Sequence, residues 1–179
     1  KGYSFNFTVG LSMAQKKGFS GSLFFSHTTA QSTTDNLGSN ASSAWGATPI
    51  INNPNDIFLA SAIDALPSRI VGTLSYRKEY LKHLATTVTL YYDGSTAGRY
   101  SYTYNGDVNG DAIAADLLYI PNDASEVNFV TANGFTPQQQ VDAFNTLIKN
   151  SKYLSSHKGK IAGRNAAVMP WNSRFDLKF

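Results

Sequence analysis

The first strand-like run of the chain, residues 3–14, alternates large apolar side chains with small or polar ones without interruption. Its apolar members are Tyr3, Phe5, Phe7, Val9, Leu11 and Met13. Successive side chains of a β-strand point to opposite faces, so the run predicts a strand with one apolar face and one polar face. Ordinary strands have about 5–6 residues, whereas membrane-crossing strands need about 9–11. An alternating run of this length therefore favours a strand of an outer-membrane β-barrel.

The composition is typical of a secreted β-protein or a membrane β-barrel. Charged residues make up 15% of the chain, against about 25% in an average soluble domain. Aromatic residues reach 13%, and there is no cysteine, which excludes disulfides and thiolate metal sites. The net charge of +3 is too small to indicate a nucleic-acid partner. No run of about 18 apolar residues occurs, which excludes a transmembrane helix.

Four further runs share the two-residue period, so the sequence predicts five strands. They lie near residues 3–15, 19–30, 68–80, 85–104 and 171–179. Turns of about four residues join the first strand to the second and the third to the fourth, and Gly18 can supply a positive φ in the first turn. The other two connections, 31–67 and 105–170, exceed the about 12–15 residues beyond which loops are uncommon in compact domains. Outer-membrane barrels alternate short turns and long loops in this way.

The predicted fold class is all-β, a segment of a large antiparallel transmembrane β-barrel. Aromatic residues at or near strand ends agree with the girdles of such barrels; they are Tyr3, Tyr76, Tyr80, Tyr92, Tyr100 and Trp171. Five strands cannot close a barrel, which needs about eight, and both ends of the chain lie in strand patterns. We therefore expect a piece that is incomplete at both ends and carries no plug domain. A soluble β-sandwich shows the same alternation, and that alternative stays open.

The first long connection is rich in Ser, Asn and Gly over residues 31–54, which predicts an exposed loop. Trp45 is its one large aromatic side chain before Phe58. An indole in such a loop either stacks on a ligand or anchors the loop, and both interpretations stay open.

The second long connection contains the candidate metal site. Asp107, Asn109 and Asp111 have the 1-3-5 spacing of a calcium-binding loop, and Asp116 follows at position ten. A standard EF-hand is excluded, because Ala112 stands where glycine is required and Leu118 where a bidentate glutamate is expected. The sequence leaves a nonstandard Ca²⁺ site, the one cofactor considered, and an Asx-rich turn as alternatives.

A short amphipathic helix is predicted over 137–149 in the same connection. Thr136 suits the N-cap, Pro137 the first helical position, and Gln139 closes a capping box. Val141, Phe144, Leu147 and Ile148 then recur at helical spacing.

No catalytic constellation is found. The three histidines, His27, His83 and His157, lie in separate predicted elements, and no serine elbow, metal-binding HExxH motif or phosphate-binding glycine loop occurs. The sequence therefore predicts a protein that is not an enzyme.

Several short motifs resemble the late barrel region of TonB-dependent outer-membrane receptors, in particular the Oar-like and SusC-like members found in Bacteroidetes. They are the segments Gly106–Asp111, Asp116–Pro121, Tyr153-Leu154, Arg164–Ala167, Pro170-Trp171 and Arg174–Phe179. Residues 68–179 carry the resemblance well, and the first two strands share only its general pattern.

The resemblance implies a location in the outer membrane of a Gram-negative bacterium and import of a bulky solute such as an oligosaccharide, a peptide or a siderophore-like compound. It implies contact with outer-membrane lipid, the rest of a barrel of about 22 strands, a plug, TonB through an N-terminal region and, in some members, a surface lipoprotein. Two other functions stay open. One is a secreted β-sandwich that binds carbohydrate through Trp45 and the Tyr-rich strand, and the other is a passive porin.

Overall fold

The structure, a computed structural model, describes residues 1–56 and 58–179. The strands in this part of the chain are β1 (Tyr3–Lys16), β2 (Phe19–Ser32), β3 (Ala60–Ser61), β4 (Ser68–Leu81), β5 (Leu84–Thr96), β6 (Arg99–Tyr100), β7 (Tyr119–Ile120), β8 (Lys160–Ile161), β9 (Ala167–Val168) and β10 (Trp171–Lys178). The helices are α1 (Ala41–Gly46), α2 (Pro137–Asn150) and α3 (Lys152–Ser156), with a 3₁₀ turn at Ala124–Glu126. No helix among these residues has the length and apolar character needed to cross a membrane.

The chain divides into two compact units. The sheet unit consists of Lys1–Ser32, Ser61–Arg99 and Val168–Phe179. The loop unit consists of Thr33–Ala60 and Tyr100–Ala167, and thus contains most of both long connections.

The sheet unit is built on an antiparallel sheet in the order β1-β2-β4-β5-β10, with the two-residue β3 beside β2. Strands β1 and β10 form the edges of this sheet. The coarse prediction, an antiparallel all-β chain with few helices, is confirmed.

The pairing register places the apolar residues of neighbouring strands on one face of the sheet. Val9 lies opposite Phe25, and Phe25 lies opposite Ile70. On the same face, towards the β10 edge of the sheet, Leu90 lies between Leu74 and Leu177. Because side chains alternate with a period of two, these pairs fix every other residue of each strand to the same face.

The two short turns occur where the sequence predicts them. Lys17 and Gly18 both have positive φ, at 53° and 88°, as a two-residue type I′ hairpin requires. A Cβ atom on Gly18 would lie 2.6 Å from the Arg77 carbonyl oxygen, so glycine is needed there for space as well as for conformation. The second turn consists of Lys82 and His83.

The fourth predicted strand, 85–104, is wrong in its second half. Strand β5 ends at Thr96, and Gly98 has a φ of 128°. Beyond it, the Tyr102 carbonyl accepts a hydrogen bond from Leu118 N–H at 2.9 Å, and Tyr104 N–H donates to the Asp116 carbonyl at 2.9 Å. The Tyr-rich segment therefore pairs inside the loop unit instead of extending the long strand.

The loop unit has its own small core, formed by Ile120, Ile148, Leu154 and Ala162. Helix α2 supplies Ile148, and its start confirms the predicted capping box: Thr136 N–H donates to the Gln139 side chain at 2.9 Å, and Gln139 N–H donates to the Thr136 hydroxyl at 3.3 Å. The predicted short helix in the long connection is thereby confirmed, with one more residue at its end.

Candidate functional site

Most residues of the segment 31–54 are exposed, as the sequence predicts, but the segment also contains a short helix and three buried residues. Asp35, Thr48 and Ile50 are buried, and α1 begins at a reciprocal cap between Asn40 and Ser43. The reason is pairing at long range: Ile50 N–H donates to the Ala115 carbonyl at 3.1 Å, and the Ile50 carbonyl accepts from Leu117 N–H at 2.8 Å. These bonds satisfy a polar segment that has too few apolar residues to form a core by itself.

A buried ion pair joins the two long connections within the loop unit. The Arg164 and Asp35 side chains are 2% and 0% exposed, and Arg164 Nε lies 3.7 Å from Asp35 Oδ1. The Asn165 amide also donates to Asp35 Oδ1 at 2.7 Å, and Asn165 N–H donates to the Ser101 hydroxyl at 2.8 Å. A buried charge is tolerated when it is paired and hydrogen-bonded in this way.

The Arg164 guanidinium has further partners. It donates to the Thr33 carbonyl at 3.0 Å, and its Cζ lies 5.1 Å from the centre of the Phe58 ring, within the range of a cation–π interaction. Burial lowers the pKa of this guanidinium, and nearby Asp35 partly offsets that effect. The sequence marked Arg164 only as part of the motif Arg164–Ala167 and not as half of an ion pair, because its partners lie about 100 residues or more away in the chain and leave no local signal.

Beside this ion pair lies a cavity of about 510 Å³. Its apolar walls are Ala41, Ala44, Trp45, Ile50, Pro54 and Phe58. Polar groups come from Thr33, Thr34, Asn36, Thr48, Asn55 and Arg164, with Asp56 also in the lining. The volume and the mixture of apolar walls with a few polar groups are those of a small-molecule site.

Trp45, the ligand-contact residue predicted from the sequence, lies in the wall of this cavity. Its indole N–H donates to the Pro54 carbonyl at 3.2 Å, and the side chain remains 49% exposed. Trp45 thus ties α1 to the segment around Pro54 and also offers an aromatic surface. The two roles that the sequence left open are compatible in one residue.

The four residues of the predicted Ca²⁺ site are close together in the loop unit. The Asn109 amide donates to Asp116 at 2.8 Å and to Asp111 at 3.3 Å. Asp107 accepts three backbone N–H bonds, from Gly110 at 2.6 Å, Ala112 at 2.8 Å and Asp111 at 3.3 Å. These donors, Ala112 first, hold the pKa of the exposed Asp107 carboxyl below its ordinary value of 3.8.

The hydrogen bonds of this loop match the alternative that the sequence allowed, an Asx-rich turn. Asp116 is buried, and its second oxygen accepts Val108 N–H at 2.8 Å. Ala112 adopts a left-handed φ of 68° at the position where a standard calcium loop has glycine. Within residues 1–56 and 58–179, no group of three or more His, Cys, Asp or Glu side chains is placed to hold a metal ion. The Ca²⁺ site stays a prediction from spacing.

Comparison with known proteins finds no matching family model, no matching curated protein and no matching solved structure.

Proposed function

We propose that the chain is a section of a TonB-dependent outer-membrane transporter whose long connections handle an imported bulky solute. The observation that carries this proposal is the register of the sheet unit, which gathers the apolar side chains of five antiparallel strands on one face.

These apolar side chains are exposed to a degree that is unusual for a soluble protein. Leu11 is 76% exposed and Phe179 is 83% exposed. Other exposed members of this face include Phe5, Phe7, Val9, Met13, Phe19, Leu23, Phe25, Leu74, Leu90, Trp171, Phe175 and Leu177. Water-soluble monomers rarely expose contiguous apolar patches beyond a few hundred Å², whereas a barrel presents such a face to lipid.

The height of the apolar face supports a membrane span. Along β1 the apolar residues run from Tyr3 to Met13, a distance of about 33 Å at about 3.3 Å per residue. A strand tilt of about 40° reduces this distance to about 25 Å along the membrane normal. Outer-membrane barrels have an apolar band about 25 Å tall.

The opposite face of the sheet is polar and bonded across strands, as expected for the interior of a large barrel. The Asn6 amide donates to the Thr28 hydroxyl at 2.6 Å, and the Ser75 and Thr89 hydroxyls lie 2.9 Å apart. Arg69 makes a bidentate ion pair with Asp93, in which Nε donates to Oδ1 at 3.0 Å and Nη2 donates to Oδ2 at 2.8 Å. A charged, hydrogen-bonded face suits water and not lipid.

The aromatic residues at the strand ends and the lengths of the connections also agree with a membrane-spanning sheet. Tyr3 and Trp171 begin β1 and β10, at the end of the sheet from which the long connections leave, and Tyr80 lies near the opposite end of β4. Barrels have aromatic girdles at both interfaces, short periplasmic turns and long extracellular loops. We therefore assign the long connections, including α2, to the outside.

The TonB-dependent class, as opposed to a passive porin, is supported by the motifs Asp116–Pro121 and Arg174–Phe179. In a cell that carries the whole protein, import should stop when the proton gradient is collapsed. Flux that survives this treatment identifies a porin instead.

Lipid exposure of β1 can be tested residue by residue, because the chain contains no cysteine. Single cysteines at Asn6, Phe7, Thr8 and Val9 are labelled with a nitroxide in phospholipid vesicles, and the accessibility to oxygen and to a water-soluble nickel complex is measured. Labels at Phe7 and Val9 should be accessible to oxygen, and labels at Asn6 and Thr8 to nickel.

Equal nickel accessibility at all four positions would contradict a lipid-facing strand. A chain of residues 1–179 that is monomeric and soluble without detergent would contradict it as well, and would favour the secreted binding module.

A further inference from the structure

We infer that the cavity beside Trp45 is a binding site for a short, uncharged peptide, and that an aromatic side chain of this peptide enters the cavity. Every residue that lines the cavity belongs to the loop unit, so the argument for this site does not depend on lipid contact of the sheet.

The size of the cavity and the chemistry of its walls indicate that the buried part of the ligand is an aromatic ring. A volume of about 510 Å³ lies in the range of about 300–1,000 Å³ found for small-molecule sites. Trp45 and Phe58 give the cavity two aromatic walls, and Ile50 and Pro54 give it aliphatic ones. Aromatic rings pack well in such surroundings through offset or edge contacts.

The polar groups of the cavity favour a peptide over a saccharide. The Thr34 and Thr48 hydroxyls lie 3.1 Å apart, and Thr48 also donates to the Ala44 carbonyl at 2.9 Å. Asn36 and Asn55 are also lining residues, and an asparagine amide can pair with the N–H and C=O of a peptide group. Burying the many hydroxyls of a sugar ring against mostly apolar walls would leave unpaired polar groups, which is costly.

The charges of the lining favour an uncharged ligand over an anionic one. Arg164 lies in the lining, but its charge faces Asp35 at 3.7 Å. Asp56, also in the lining, adds a carboxylate that repels anions. With Arg164 compensated by Asp35, the charge that remains in the lining is the carboxylate of Asp56. A free carboxylate on the ligand should therefore weaken binding.

The walls are held in place before any ligand arrives. The Trp45 indole is fixed by its bond to Pro54 at 3.2 Å, and α1 is fixed at its start by the reciprocal cap of Asn40 and Ser43. Preformed walls lower the ordering cost of binding.

The test uses Trp45 as its own reporter. The chain has two tryptophans, so Trp171→Phe leaves Trp45 as the only source of indole emission. N-acetyl-phenylalanine amide is titrated into this variant of the full chain, in a non-sugar detergent if the chain requires one. We expect a saturable change of the emission and slower quenching of Trp45 by acrylamide, because the bound ring covers the half-exposed indole.

Two variants on α1 form a matched pair. Ala44→Phe fills the cavity and should weaken binding at least about tenfold, or about 1.4 kcal/mol. Ser42→Phe adds the same ring outside the lining and should leave the affinity within about twofold. If Ala44→Phe does not fold, Ala41→Phe narrows the same cavity and replaces it.

Three results would overturn the inference: no saturable emission change, equal weakening by Ser42→Phe, or binding of maltose as tight as that of the amide. N-acetyl-phenylalanine, with its free carboxylate, should bind more weakly, and equal affinity would refute the uncharged class. A chain that proves soluble without lipid refutes the transporter and leaves this titration unaffected.

Discussion

Arginine substitutions at two neighbouring positions of β1 test the membrane assignment energetically. Val9 belongs to the apolar face and is opposite Phe25, whereas Thr8 belongs to the polar face and is opposite Ser26. Val9→Arg and Thr8→Arg add the same side chain and charge to the same strand. Only the face differs between them, so Thr8→Arg is the matched control.

The position of Val9 sets the expected magnitude. It lies one residue from the middle of the run between Tyr3 and Met13, or about 2–3 Å from the bilayer centre after allowing for the tilt. Arginine facing lipid at the midplane costs about 2–4 kcal/mol, and about 3 kcal/mol corresponds to about a 150-fold change in an equilibrium constant. Thr8→Arg loses the 3.0 Å bond from Thr8 to Asn6, which is worth about 1 kcal/mol at most in an exposed position.

The assay is partition of the chain between phosphatidylcholine vesicles and buffer, measured by flotation at increasing lipid concentration. Val9→Arg should lower the partition coefficient by about two orders of magnitude, and Thr8→Arg by less than about fivefold. Equal losses in the two variants would refute the assignment of faces. A wild-type chain that remains in the buffer would refute the lipid contact itself.

Three further predictions concern the loop unit. Asp35→Asn removes the partner of the buried Arg164 guanidinium and should destabilise the unit by about 3–5 kcal/mol, measured by amide hydrogen exchange; adding Arg164→Met should restore part of the loss. The pKa of Asp107 is lowered in the folded chain, so its contribution is complete above its ordinary pKa of 3.8 and is lost as the pH falls through the folded value. The acid unfolding profile of Asp107→Asn should therefore be flatter. Thr136→Ala removes the N-cap of α2 and should cost about 1 kcal/mol of helix stability, seen as faster exchange in its first turn, whereas no change would show that packing alone holds the helix.

The sequence predicts those features of the sheet unit that depend on neighbours in the chain. Alternation of side chains marks the long strands, and Gly18 marks the first turn. Thr136, Pro137 and Gln139 mark the start of α2. Each of these signals lies within a few residues of the structure that it specifies, because backbone propensity, capping and face alternation are local effects.

In the loop unit, local sequence signals do not predict which segments pair. Residues 99–104 continue the alternation of β5, yet Tyr102 and Tyr104 pair with the segment around Leu117. The polar segment before Ile50 contains no apolar pattern, yet Asp35 is buried against Arg164. The two cases differ in range: Tyr102 and Tyr104 bond to residues 16 and 12 positions later, whereas Asp35 pairs with a residue 129 positions later. In neither case does the alternation of side chains reveal the partner, because period-two alternation marks a strand but not the segment that it pairs with.

The residues that line the candidate cavity could likewise be predicted only in part. Trp45 could be singled out from the sequence, because a large aromatic side chain is conspicuous in a polar loop. The contribution of Arg164 could not be predicted, since this residue reaches the cavity only when the second long connection packs against the first. The sequence by itself determined the alternating faces of the five long strands, the first turn and the capped helix, all of which follow from local chemistry. Tertiary structure alone decided the alignment of five apolar faces, the buried ion pair and the cavity beside Trp45, because these depend on which distant segments pair.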